Sequence, residues 1–121
     1  MAERRDLMQQ CIDNCTECHS ACEDALSYCL NMGGMHTEKF HLKSMLDCAQ
    51  ACAAGADMML RDSPLHPKMC GVCAEACMLC AESCGQMGDD RKMRECADTC
   101  RRCAQSCRQM EEMETSFRKA A

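Results

Sequence analysis

Apolar and sulfur-bearing positions along this chain recur in alternating steps of three and four residues. The first run reads Cys11, Cys15, Cys18, Cys22, Ala25, Cys29, and the second His41, Met45, Cys48, Cys52, Gly55, Met59. The third reads His66, Cys70, Cys73, Cys77, Cys80, Cys84, Met87, and the fourth Met93, Cys96, Cys100, Cys103, Cys107, Met110. Such steps are the a/d spacing of a helix that turns one face into a bundle. Polar and charged residues fill the positions between, so the pattern predicts four amphipathic helices over about residues 3–31, 38–60, 64–87 and 90–117. Gly33-Gly34 stops the first helix and Thr37 is the expected N-cap of the second. Ser63 with Pro64 or Pro67 opens the third, Gly88 ends it, and Asp89 or Asp90 caps the fourth. Short connections force neighbouring helices to run antiparallel. The expected fold is therefore all-α, an up-down-up-down four-helix bundle formed by one domain, 1–121.

Antiparallel stacking lets levels be counted along the seams. Cys18, Cys52, Cys77 and Cys100 fall at one level, with Cys22, Cys48, Cys80 and Cys96 at the next, roughly 5 Å along the axis. One end gathers Cys29, Met32, Met35, His36, His41, Met45, Cys84, Met87 and Met93. The other gathers Met8, Cys11, Met59, His66, Met69, Cys70, Cys107 and Met110. Leu26/Leu30 and Leu42/Leu46, beside the seams, either widen the buried stripe or form a lateral patch for self-association. Tyr28 and Phe117 read as packing residues, and His19 points off the seam towards solvent.

Composition sharpens this picture. Eight Leu, one Ile, one Val and two Phe make 12 of 121 residues. That is about half of the roughly 20% expected of a charged chain that folds. Sixteen Cys and 13 Met must supply the core instead, and free cysteine does bury as a small hydrophobe. Net charge is −5 with both signs interspersed, and aromatic residues are 2% of the chain, so neither a nucleic-acid face nor a stacking platform is expected. No apolar run approaches membrane-spanning length. Arg4-Arg5 is followed by Asp6, Leu7, Met8, Gln9 and Gln10 rather than an apolar stretch. A targeting segment is therefore not expected, and the expected location is the cytoplasm.

The thiol stripe has three chemical readings. Disulfide scaffolds are loop-rich and lack a heptad, whereas these thiols share one face of each helix. Zinc suits the pairs Cys70/Cys73, Cys77/Cys80 and Cys100/Cys103, yet each tetrathiolate site would carry a charge of about −2 into a dry interior. Soft thiolates and thioethers select Cu(I), which accepts two or three sulfurs. With each thiolate bridging two coppers, about sixteen Cu(I) would balance sixteen thiolates and the filled core would be neutral. Thioether and imidazole bind Cu(I) without losing a thiol proton, which suits His36, His41, Met45, Met87 and Met93 to a transfer mouth. His66 is a candidate at the other end. A zinc or other soft-metal reservoir and a thiol–disulfide redox protein stand as alternatives.

The repeated Cys-x3-Cys-x2-Cys-x3-Cys runs, from about Leu7 to Met110, resemble the bacterial copper storage proteins. The resemblance implies a non-enzymatic four-helix bundle that fills its interior with many Cu(I) ions and assembles as a homotetramer. The expected lack of a targeting segment points to the cytosolic branch, with a copper chaperone or a small thiol as candidate donor and no nucleic-acid or membrane partner expected. Carried over position by position, Cys11, Cys15, Cys18, Cys22 and Cys29 would be core ligands from the first helix, and Cys48 and Cys52 from the second. Cys70, Cys73, Cys77, Cys80 and Cys84 would serve from the third, and Cys96, Cys100, Cys103 and Cys107 from the fourth. Two departures stand out: the methionine-rich mouth is closer to the exported branch, and the second helix has only two cysteines, with Met45, Met59 and His41 standing in.

Overall fold

The computed structural model describes residues 2–120, with side chains over 3–113, so Phe117 lies outside the described side chains. Among the described residues the chain forms four helices: α1 (Ala2–Met32), α2 (Lys39–Leu60), α3 (His66–Gly85) and α4 (Arg91–Ala120). A 3-10 turn, Gly34–Thr37, lies between α1 and α2. α1 packs on α2 and α4, and α3 on the same two, so the helices form a square with α1 and α3 at opposite corners. Sulfur contacts give the directions. Cys29 lies against Met93, Cys22 against Cys100 and Cys11 against Cys107, so α1 and α4 are antiparallel. His41 against Ser83 and Cys52 against Cys73 set α2 and α3 antiparallel in the same way. The chain is an up-down-up-down bundle.

Local chemistry explains where the helices begin and end. Gly33 and Gly34 have φ of +71° and +57°, backbone that a side chain would strain, and they turn the chain out of α1. Thr37 does not cap α2, because it belongs to the 3-10 turn and its hydroxyl donates to the Gly34 carbonyl at 2.9 Å. Glu38 caps instead, its carboxylate accepting the His41 N–H at 3.1 Å. α3 starts two residues later than its proline-based expectation, with Leu65 as N-cap and Pro67 in the first turn. It also ends earlier, at Gly85, because the Met87 N–H bonds back to the Cys84 carbonyl and tightens the turn. Asp90 caps α4 by accepting the Met93 N–H at 3.0 Å.

The interior is built from sulfur and alanine. All sixteen cysteines are buried, none more than 4% exposed, and Met45, Met59, Met93 and Met110 fill the spaces above and below them. Ala49, Ala74, Ala81, Ala97 and Ala104 flank the sulfurs and let the helices approach closely. Leucine is absent from this interior among the described residues. Leu26 and Leu42 lie half-buried against it and widen the buried stripe, while Leu30 and Leu46 are exposed. His19 is half-buried rather than solvent-facing: its Nδ1 sits 2.9 Å from the Ala49 carbonyl and ties α1 to α2.

Gly55 stands on the interior face of α2, where its missing side chain leaves room. A Cβ there would lie 3.8 Å from Cys15 Sγ and 3.9 Å from Cys73 Cβ, ordinary contact distances. Glycine in a helix interior costs about 0.5–1 kcal/mol relative to alanine. Gly55→Ala is accordingly expected to stabilise the reduced, metal-free protein by about that amount. Urea unfolding followed by circular dichroism checks it, and a loss of stability would mean the space is already filled.

Candidate metal centre

The seam positions of all four helices deliver their thiols into one continuous column. From the Cys11 end the sulfurs step to Cys107 at 3.7 Å, Cys15 at 3.6 Å, Cys103 at 3.7 Å and Cys52 at 3.8 Å. They continue to Cys77 at 3.7 Å, Cys48 at 3.5 Å, Cys18 at 3.8 Å, Cys100 at 3.8 Å and Cys22 at 3.9 Å. Every cysteine is a free thiol, and these separations are far beyond the roughly 2.05 Å of a disulfide bond. They are van der Waals contacts between packed sulfurs.

The flat levels expected from the sequence are staggered in the structure. Cys18 touches Cys48, Cys77 and Cys100, while Cys52 meets Cys73, Cys77 and Cys103. Levels about 5 Å apart would leave gaps between sulfurs, and a close-packed interior removes such gaps by interleaving neighbouring levels. The result is five groups of four thiols whose sulfurs lie within 4.8 Å of one another. Successive groups share members: Cys18 and Cys48 belong to two, as do Cys52, Cys77 and Cys100. A metal placed in one group thus shares thiolates with the next.

At the column end, burial and then the Asp90 carboxylate push the Cys29 thiol up to about 11.

That end is closed by one residue from each helix. His41 of α2 is 1% exposed, with Nε2 3.3 Å from Cys29 Sγ of α1 and Nδ1 2.7 Å from Ser83 Oγ of α3. The Cys29 thiol in turn faces Met93 Sδ of α4 at 3.7 Å. Burial, then the charge of His36, lowers the pKa of His41, which favours the neutral ring that a metal requires. Met45 is fully buried nearby on α2, and Met87 lies half-buried against the core. His36 is placed differently: its Nε2 lies 2.7 Å from Asp90 Oδ2, an oxygen that also accepts the Tyr28 hydroxyl at 2.7 Å. Burial works to raise the Asp90 carboxyl, but the Tyr28 and His36 hydrogen bonds outweigh it and hold it at about 2. Met32 and Met35 stand outside this closure, 55% and 67% exposed.

At the opposite end His66 is also 1% exposed, one helical turn before Cys70, with its Nε2 3.9 Å from Asp62 Oδ1. Sequence periodicity found the thiols because they lie on the seam. It missed Ser83, which lies off the seam, the contacts of the cap residue Asp90 with His36 and Tyr28, and the 3-10 turn that carries His36.

Comparison with known proteins agrees with this geometry. A family profile described as copper storage protein matches residues 4–112. A crystal structure of a protein from Nitrosospira multiformis is 44% identical over 90% of this chain and 98% of its own, with a TM-score of 0.84. The Cu(I)-bound copper storage protein BsCsp3 of Bacillus subtilis is 31% identical over 87% of this chain and 98% of its own, with a TM-score of 0.81. A cytosolic copper storage protein from Streptomyces lividans, solved with five coppers, is 27% identical over 93% of this chain and 98% of its own, with a TM-score of 0.85.

The raised Cys29 thiol carries a consequence for stability. Its ordinary pKa of 9.0 becomes about 11 on folding, so between these values the folded chain holds a proton that the unfolded chain has lost. The contribution is fully present below pH 9.0 and disappears as pH rises through about 11. Reduced, metal-free protein should therefore show a thermal midpoint that falls over this interval, and Cys29→Ser should flatten part of the fall.

Proposed function

The chain belongs to the copper storage protein family, and from that premise we propose that it stores many Cu(I) ions on the thiolates of its buried column. The carrying observation is the column itself: sixteen buried thiols, ten of them in an unbroken path of contacts of 3.5–3.9 Å. Each Cu(I) that enters replaces about one thiol proton, so charge in the dry interior stays near zero at every stage of filling. Neutral thiols already pack as a core, so the bundle has no need of metal to fold.

All sixteen cysteines serve as ligands in this reading, from Cys11 at one end to Cys29 at the other. His41 and Met93, with Met45 close behind, complete the end occupied by Cys29. His66 does the same beside Cys70. His36 and Met87 lie outside the sulfur column and would meet copper only before it passes His41. The role is storage rather than catalysis.

A zinc reservoir is the second reading, favoured by the groups of four thiols. Three of the five groups can be filled without sharing a sulfur: Cys15/Cys73/Cys103/Cys107, Cys18/Cys48/Cys52/Cys77 and Cys22/Cys80/Cys96/Cys100. Each would then bury a charge of about −2, which Cu(I) avoids.

Assembly as a homotetramer is supported by a groove between α2 and α3, floored by Ala51, Ala54 and Ala76 and edged by the exposed Phe40, Val72 and Leu79. A cytosolic location is supported by the Streptomyces relative. No helix among the described residues is long and apolar enough to cross a membrane. Buried ligands require a donor that gives copper up by exchange, as a copper chaperone or a small thiol would.

Anaerobic titration of reduced protein should saturate well above four Cu(I) per chain and approach about sixteen, releasing about one proton per copper. Saturation at four or fewer, or displacement of bound copper by Zn(II), would end the proposal. Replacing Cys77 and Cys100 together with Ser should lower capacity and leave helicity intact. These two sulfurs touch Cys18, Cys22, Cys48, Cys52 and Cys73, so their loss removes bridges rather than walls.

A further inference from the structure

Ser83 is 4% exposed, lies off the sulfur seam of α3, and spends its hydroxyl on the ring of His41. With His41 as its Nε2–H tautomer, the contacts around that ring form a chain with one direction. The Cys29 thiol donates to Met93 Sδ at 3.7 Å. The Cys29 sulfur is thus free to accept a hydrogen bond from His41 Nε2–H at 3.3 Å. His41 Nδ1 then carries the lone pair, and the Ser83 hydroxyl at 2.7 Å must be its donor. Copper at this end needs the reverse arrangement. Cys29 must become a thiolate and Nε2 must offer its lone pair, which moves the ring proton to Nδ1. Nδ1–H then needs an acceptor.

We propose that Ser83 is the positioning residue of this terminal site: its hydroxyl, able both to donate and to accept, holds His41 in place in either neutral tautomer, so that the ring can exchange a hydrogen bond to Cys29 for a bond to Cu(I). The inference rests on the storage reading above. Protons balance, because Cys29 releases one to solvent for the one Cu(I) that arrives, while the imidazole keeps a single proton that changes nitrogen. Alanine would leave Nδ1 without this partner in either state. Threonine would keep the hydroxyl.

The test compares wild type, Ser83→Ala and Ser83→Thr as reduced, full-length proteins. Long-range proton–nitrogen NMR of the histidine rings reads the His41 tautomer, and competition with a coloured Cu(I) chelator reads affinity and capacity. Wild type is expected to show Nε2–H without copper and Nδ1–H with copper on Nε2. Ser83→Ala should bind copper at this end about tenfold more weakly, the usual scale for loss of a group that orients a ligand. Its total uptake by the column should be little changed, and Ser83→Thr should restore the affinity. A wild-type His41 that keeps Nε2–H after loading overturns the inference, as does a Ser83→Ala protein with wild-type affinity and tautomers. Should Ser83→Ala fail to fold, the wild-type spectra and Ser83→Thr still decide. Failure of the chain to take up many Cu(I) ions would instead defeat the storage reading, which the same titration measures separately.

Discussion

Charge neutrality in a dry interior is the constraint on which this structure depends. A column of buried sulfurs tolerates thiols, and it tolerates thiolates only when each is matched by a positive charge. A monovalent soft cation matches them one for one, whereas a divalent ion bound by four thiolates does not. The staggered contacts make the matching continuous along the middle of the column, because Cys18, Cys22, Cys48, Cys52, Cys73, Cys77, Cys100 and Cys103 each belong to two groups of four. The same close packing that gives the metal-free bundle its core would, in the storage proposed above, let neighbouring metals share thiolates.

The ends of the column obey a different rule. There the sulfurs meet imidazole and thioether, and the polar groups that orient them come from outside the seams. Glu38 accepts the backbone N–H of His41, Ser83 holds its ring, and Asp90 joins Tyr28 of α1, His36 of the 3-10 turn and the first turn of α4. Apart from the buried Ser83–His41 bond, each of these is a part-buried hydrogen bond at the end of the bundle. The interior can be simple because the specific chemistry is confined to the closures.

Much of the fold was legible in the residues, and for a physical reason. Cysteine at alternating three- and four-residue steps from Cys11 to Cys107 marks the buried face of each helix as leucine does in an ordinary bundle, so helix number and interior face followed from spacing, and direction from the short connections. Exact stagger did not follow, because Cys48 and Cys52 differ by one turn and only packing decides which lies beside Cys18. Caps were partly legible: Asp90 was among the expected residues, whereas Thr37 was displaced by Glu38 once the Gly33-Gly34 turn wound into a 3-10 segment. Ser83 carried no sequence signal, since a serine beside a seam cysteine resembles any half-buried helical serine. The partner of His36 was hidden for the same reason, as a contact between residues 36 and 90 has no period to announce it.

Gly55 gives α2 a thin wall at the point where it faces Cys15 and Cys73. The other helices carry sulfur at nearly every seam position, so the inventory of ligands is set by how many wall positions are thiols rather than by the volume of the tube. A reservoir built this way can be resized by single residue changes without redesigning its frame. Lineages with different metal exposure can therefore drift in capacity while the architecture stays constant.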